Sequence, residues 1–285
     1  MKRRSIAPAS LVYAAVTAVG LGAFLYPFWL PHRSVEAGAH AGTAPFIAAA
    51  LVALAVLAVG LELRTREMNG ATVALLGVLA AVTALLRLLD LPGGGSGMFF
   101  LVILAGAAFG PRFGFLLGMS AMAVSAVLTG GLGPWLPFQM LGLGWMGATS
   151  GFVGRWTARL PRMSEVVFLA AFGWLWGFGY GAILNLWSWP FVISEGPLSW
   201  HPGLPFVEVL HRYYSFYVVT SFAWDAAGAL ANAVLILLTG RALLRSMRRF
   251  SQRLTPVVDF TPEERNPLCG NTLDRPVAVS SAQSP

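Results

Sequence analysis

Charge is scarce in this sequence. Asp, Glu, Lys and Arg make up 11% of the 285 residues, where soluble domains carry about a quarter, and so few charges cannot cover a water-facing surface. Cysteine is scarcer still: the one copy, Cys269, lies in a polar tail, which excludes a disulfide framework and a cysteine metal site. The four histidines, His32, His40, His201 and His211, fall in or beside polar connections and make no recognisable metal spacing. The nearest approach to one is His201 and His211 with Glu208. No nucleophile stands in a recognisable arrangement with a base, and no Gly-x-x-x-x-Gly-Lys phosphate loop is present, so nucleotide hydrolysis through a P-loop is excluded. No metal, cofactor or catalytic residue is expected.

What the chain has instead is apolar length. Hydrophobic residues make up 56% and cluster into runs, several close to the ~20 residues that cross a hydrocarbon core of about 30 Å. The runs extend over Pro8 to Leu30, Pro45 to Leu63, Gly70 to Leu89, Met98 to Phe109, Gly114 to Leu128, Leu136 to Val153, Ser164 to Trp189 and Tyr213 to Leu244. They predict an all-α, polytopic membrane protein. The pair flanking Pro111-Arg112 is short for spanning helices, and a re-entrant pair is the alternative there. Met1-Lys2-Arg3-Arg4 before an apolar run invites a signal-peptide reading, with Ala39-His40-Ala41 as a cleavage site. The run is too long and too aromatic at its far end (Phe24, Tyr26, Phe28, Trp29) for that, and is read as a retained helix.

The formal net charge of +7 and pI of about 10.3 do not point to nucleic acid, because the arginines sit at the ends of apolar runs. Lys2 to Arg4, Arg64 and Arg66, Arg112, Arg155 to Arg162, and Arg241 to Arg249 occupy every second connection. By the positive-inside rule both termini are then cytoplasmic, provided that the short pair spans. The opposite connections are His32 to Ala44, the glycine-rich Asp90 to Gly97, Thr129 to Pro137, and the long Pro190 to Arg212, which is long enough to fold as a lid. Residues 251–285 read as a disordered cytoplasmic tail. No internal repeat and no pair of broken helices of the kind found in inverted-repeat transporters is evident.

Polar groups inside apolar runs are few and therefore informative. A carboxylate at Asp225, read as lying well within the last helix, costs roughly 2.5 to 3.5 kcal/mol on insertion scales and must face protein or water. Asn232 shares its face; Arg87, Gln139 and Asn185 lie near the outward ends of other runs, and Arg87 is also placed to pair with Asp90. Aromatic residues gather at the same level, Trp135 and Trp189 among them, as an interfacial belt or as walls of a small-molecule pocket. Arg87, Trp135, Gln139, Asn185, Trp189 and Asp225 are the candidate binding residues. On the third run, Gly70, Ala74, Gly77, Ala81 and Ala84 form a small-residue stripe suited to close helix approach, either within this protein or to a separate membrane subunit.

The segments Phe99-Phe100-Leu101-Val102-Ile103-Leu104-Ala105-Gly106-Ala107-Ala108-Phe109-Gly110-Pro111-Arg112 and Leu128-Thr129-Gly130-Gly131-Leu132-Gly133-Pro134-Trp135-Leu136-Pro137-Phe138-Gln139-Met140, with Asn185-Leu186-Trp187-Ser188-Trp189-Pro190 and Thr220-Ser221-Phe222-Ala223-Trp224-Asp225, resemble the substrate-binding S component of energy-coupling factor (ECF) vitamin transporters, in an actinobacterial branch. The resemblance covers about Arg64 to Arg249. It implies a six-helix S-component core at 64–250, preceded by two extra transmembrane helices at 1–63 with no assigned role. It further implies a subunit of an ECF-type ABC importer in the bacterial cell membrane, which captures a vitamin or related micronutrient and works with a coupling subunit and two ATPases. Gly70, Ala74, Gly77 and Ala81 would then dock the coupling subunit. The Gly-Pro-Trp-x-Pro segment is most similar to S components of cobalamin type, so cobalamin or a corrin precursor is the first expectation for the ligand. The other readings of the residues are an intramembrane lipid-modifying enzyme and a structural membrane protein.

Overall fold

The computed structural model describes residues 8–25, 28, 46, 49–50, 53, 56–61, 68–91, 95–192 and 196–254. Lys2 to Arg4, the loop from His32 to Ala44, Arg64, Arg66 and the tail with Cys269 lie outside them. Away from water each peptide group must find its partner within its own segment, and the apolar runs accordingly fold as helices. These are α1 (Pro8–Leu25), α2 (Gly70–Leu86), α3 (Met98–Phe109), α4 (Pro111–Thr129), α5 (Leu136–Thr157), α6 (Arg162–Val192), α7 (Phe206–Thr220) and α8 (Phe222–Leu254). Residues 46, 49–50, 53 and 56–61 are also helical. A two-residue antiparallel pairing of Asp90–Leu91 with Gly95–Ser96 closes the connection between α2 and α3. The all-α expectation holds, and three of the described helices, α4, α6 and α8, are long and apolar enough to cross a membrane.

Helix α3 has 12 residues, a rise of about 18 Å, short of the ~30 Å hydrocarbon core. It packs against α4, α5, α6 and α8, and Val102, Ile103, Leu104 and Ala105 are fully buried. Because other helices surround it, its length need not match the bilayer. Pro111 begins α4 at its first turn, where a missing N–H costs nothing. Helices α4 and α5 then approach to backbone contact: a Cβ on either Gly114 or Gly147 would strike the backbone of the other.

The leading helix α1 has a place in this packing. Tyr13 meets Phe115 edge-on at 5.6 Å and Phe24 meets Phe138 at 5.0 Å, so α1 lies along α4 and α5. At the arginine-bearing end Arg112 donates to Ser10 Oγ at 3.0 Å. Glu165, at the start of α6, takes a two-pronged ion pair from Arg248 near the end of α8. Arg112, Arg248 and the beginning of α1 therefore share one end of the bundle with the last turns of α5.

Three boundaries differ from the sequence reading. The final apolar run is two helices, broken at Ser221 (φ −130°, ψ −29°). Helix α6 runs to Val192 and helix α7 begins at Phe206, so both ends of the expected long loop from Pro190 to Arg212 are helical. Helix α8 continues past residue 250 to Leu254, into the segment expected to be tail. What remains of the loop is pinned: Trp189 Nε1 donates to Leu198 O at 2.7 Å, Arg212 donates to Ser199 O at 3.3 Å, and Trp189, Trp200 and Phe216 pack with Phe28.

Candidate functional site

At the end of the bundle opposite the Glu165–Arg248 pair, the end of α2, the starts of α3, α5 and α8, the middle of α6 and Met122 of α4 line a cavity of about 270 Å³. Its lining is Arg87, Ser96, Met98, Phe99, Met122, Gln139, Gly177, Tyr180, Trp224, Asp225, Gly228 and Ala229. Three candidate binding residues, Arg87, Gln139 and Asp225, come together here from three different helices.

The break at Ser221 places Asp225. It sets the carboxylate in the first turn of α8 instead of well within the helix, where the amide dipoles favour negative charge. Asn185 of α6 donates to Ser221 Oγ at 2.6 Å and ties the break in place. Asp225 Oδ2 accepts from Tyr217 Oη at 2.8 Å across the break. Room for the carboxylate comes from Gly181, where a Cβ would overlap it. One turn and two turns further along α6, Gly177 and Gly173 admit Ala229 and Ile236 of α8 in the same way. Gly173-x-x-x-Gly177-x-x-x-Gly181 is thus a close-approach seam of the kind small residues permit in lipid. Asn232, on the same face of α8, donates to Gly173 O at 2.9 Å.

On the other side of the cavity Arg87 donates to Ser125 Oγ at 2.9 Å and to Met122 Sδ at 3.2 Å. These partners are neutral, so its charge is not compensated by an ion pair among the described residues. The side chain of Asp90 lies outside those residues. Two more residues of the lining carry a polar atom without a partner: the Gln139 Oε1 and the Tyr180 hydroxyl are buried and make no hydrogen bond. An unsatisfied buried polar group costs about 1–3 kcal/mol, so two at one small cavity mark a place where a ligand or water completes the bonding. Phe99, 4.7 Å from the Tyr180 ring centroid, supplies an aromatic wall.

The other three candidates lie outside the lining. Trp135 is half exposed and donates to Gly131 O. Asn185 is engaged at the Ser221 break. Trp189 is fully buried in the cluster that holds the loop. Tyr180 in the lining, and Tyr217 and Gly181 beside Asp225, do not stand out in the sequence; the glycine triplet on α6 was the one readable signal, and it marks a close-approach face without naming the partner helix.

His201, His211 and Glu208 do not converge: Glu208 pairs with Arg212 at 2.7 Å and His201 Nε2 meets Ser199 Oγ. Among the described residues no three His, Cys, Asp or Glu side chains could hold a metal ion. The small-residue stripe on α2 faces away from the bundle. Gly70, Ala74, Gly77 and Ala81 are exposed, and no atom lies within 4 Å of a Cβ built on Gly70 or Gly77. Leu76, Ala80, Thr83 and Ala84 form the buried face, so the stripe ends at Ala81.

An apolar helical bundle with a small polar cavity at one end defines a membrane protein that handles a small molecule. A comparison with protein families matches residues 71–240 to the ECF transporter, substrate-specific component, which is more than half of the chain. The chain belongs to that family. It is a membrane-embedded, multi-pass, substrate-specific transport subunit and not an enzyme, and the lipid-modifying reading falls away. No curated protein and no solved structure matches the chain.

Proposed function

We propose that this subunit captures a vitamin or related micronutrient in the cavity between α2, α3, α6 and α8, and passes it across the membrane in a complex with an ECF coupling subunit and two ATPases. The observation that carries this reading is the meeting of Arg87, Gln139, Tyr180 and Asp225 around about 270 Å³, with two of those groups lacking partners. Arg87 and Asp225 carry opposite charges. They suit a ligand with an anionic group toward α2 and a donor or cationic group toward α8, while Phe99 and Trp224 offer ring faces. Pockets for drug-sized molecules run to about 300–1,000 Å³, so this volume suits a molecule of one or two rings and argues against cobalamin or a corrin precursor.

The stripe Gly70, Ala74, Gly77 and Ala81 is the docking face for the coupling subunit. Its exposure supports this, because no helix among the described residues covers it and small residues permit close approach by another helix. Both termini lie on the cytoplasmic side, with the cavity facing out. The arginines gathered at the opposite end, beside the beginning of α1 and the end of α8, support that orientation. The two leading helices brace α4 and α5.

The test is native mass spectrometry of the purified full-length protein, with identification of the retained small molecule. A retained small molecule that is lost in both Arg87→Gln and Asp225→Asn supports the site. Retention unchanged in both variants refutes it.

A further inference from the structure

A second cavity, about 440 Å³, opens at the arginine-bearing end between the start of α6 and the last turns of α8. Arg162, Arg241, Arg245, Arg248 and Arg249 line it, with Glu165 as the one acidic group. Glu165 is buried and committed to Arg248, while the other four arginines make no hydrogen bond or ion pair among the described residues. Four uncompensated guanidinium groups around one cleft repel one another, and each is a bidentate match for a phosphate. The first turn of α6 adds the positive end of a helix dipole.

The cleft is not an isolated basic patch. Positions 234, 237, 238, 241, 245, 248, 249 and 252 fall on one face of α8 by helical period. In the stretch toward the middle of the helix this face carries exposed Val234, Leu237 and Leu238; below them it becomes Arg241, Arg245 and Arg249. An apolar strip in a membrane-spanning helix that runs directly into arginines is the profile of an acyl chain continued by a phosphate headgroup. A soluble phosphate compound would use the arginines and leave the apolar strip without a part in binding. Basic pockets between membrane helices on the cytoplasmic side take anionic headgroups by the same chemistry.

We propose that this cleft binds the headgroup of an anionic phospholipid bearing two phosphates, with its acyl chains along Val234, Leu237 and Leu238. Its phosphates bridge Arg162 and Arg241, Arg245 and Arg249, holding the first turn of α6 to the last turns of α8.

The experiment is a lipid titration of the full-length protein in neutral detergent, read by native mass spectrometry. The probes are diphosphatidylglycerol, phosphatidylglycerol, phosphatidylcholine and, as the soluble source of the same chemistry, inorganic pyrophosphate. The expected result is retention of diphosphatidylglycerol at least tenfold tighter than phosphatidylcholine, with phosphatidylglycerol between them. The double variant Arg241→Gln/Arg245→Gln removes that preference, and Arg155→Gln, on α5 outside the cleft, keeps it. Should the Gln pair fail to fold, Arg241→Lys/Arg245→Lys keeps the charge but loses the bidentate geometry, and a several-fold loss of the preference is expected. Equal retention of all three lipids, or an unchanged preference in the folded variants, overturns the proposal. Pyrophosphate binding as tightly as the lipid and displacing it assigns the cleft to a soluble anion and overturns it as well.

Discussion

Gly181 of α6 faces the Asp225 carboxylate of α8 so closely that a side-chain carbon at position 181 would take the place of the carboxylate. The absence of one methyl group in one helix thereby determines where an acid in another helix can stand. Gly181→Ala is expected to lower substrate affinity at least tenfold, a loss of about 1.4 kcal/mol, because Asp225 must turn away from the cavity. Gly179→Ala, whose new Cβ would meet only Trp176 at 3.8 Å, should bind as the parent does. Ligand titration of both variants checks this, and equal affinities in the two would contradict it.

The bond from Tyr217 to Asp225 separates orientation from charge. Asp225→Asn removes the charge and should abolish ligand retention. Tyr217→Phe leaves the charge in place and frees its direction, so affinity should fall several-fold, about the 0.5–1.5 kcal/mol of one hydrogen bond. Isothermal titration of the two variants side by side gives the order, and a larger effect in Tyr217→Phe would reverse the assigned roles.

The stripe on α2 is exposed, so bulk added there should not disturb the bundle. Ala74→Leu and Ala81→Leu are expected to leave stability within about 0.5 kcal/mol and ligand binding unchanged, yet to prevent co-purification with the coupling subunit and ATP-driven uptake. Normal assembly of the doubly substituted protein would show that the coupling subunit docks elsewhere.

Glu165 is 3% exposed, and Arg248 is its principal partner, with Thr157 3.4 Å away. Glu165→Gln should cost about 1.5–3 kcal/mol, the range for hydrogen bonds to charged groups, seen as a lower unfolding midpoint in detergent. Adding Arg248→Gln should cost less than the sum of the two single changes, since the two residues share one interaction. Strict additivity would mean that the pair does not couple α6 to α8.

The helices were legible because lipid imposes length and apolarity that few other constraints imitate. The break at Ser221 was not. Thr220-Ser221-Phe222-Ala223-Trp224 contains neither proline nor glycine, so no local helix breaker marks it. What supports the break is a contact from α6, the Asn185 bond to Ser221 Oγ, which a one-dimensional pattern does not contain. For the same reason the reading put Asp225 deep in a helix when it stands in a first turn. Arg87, Gln139 and Asp225, which line one cavity, stand out in the sequence because polar residues inside apolar runs are rare. Tyr180 and Tyr217 were passed over because tyrosine is also ordinary at membrane interfaces. Trp189 reads as a pocket wall from its position alone; in the fold its indole N–H donates to Leu198 O, a carbonyl whose position only the folded loop reveals.

The interruption at Ser221 also bears on where the protein can be dry. Ser221 N–H still reaches Tyr217 O and Asp225 N–H reaches Ser221 O, each at 2.9 Å, but the restart leaves the N–H groups of Phe222, Ala223 and Trp224 without a partner four residues back, and hydrocarbon cannot supply replacements. The α7–α8 seam must therefore stay hydrated or be sealed by polar cargo. If the neighbouring cavity is the capture site, as proposed, emptying and filling it is an exchange of water for solute, and release of cargo would then depend on how easily water can return to that seam.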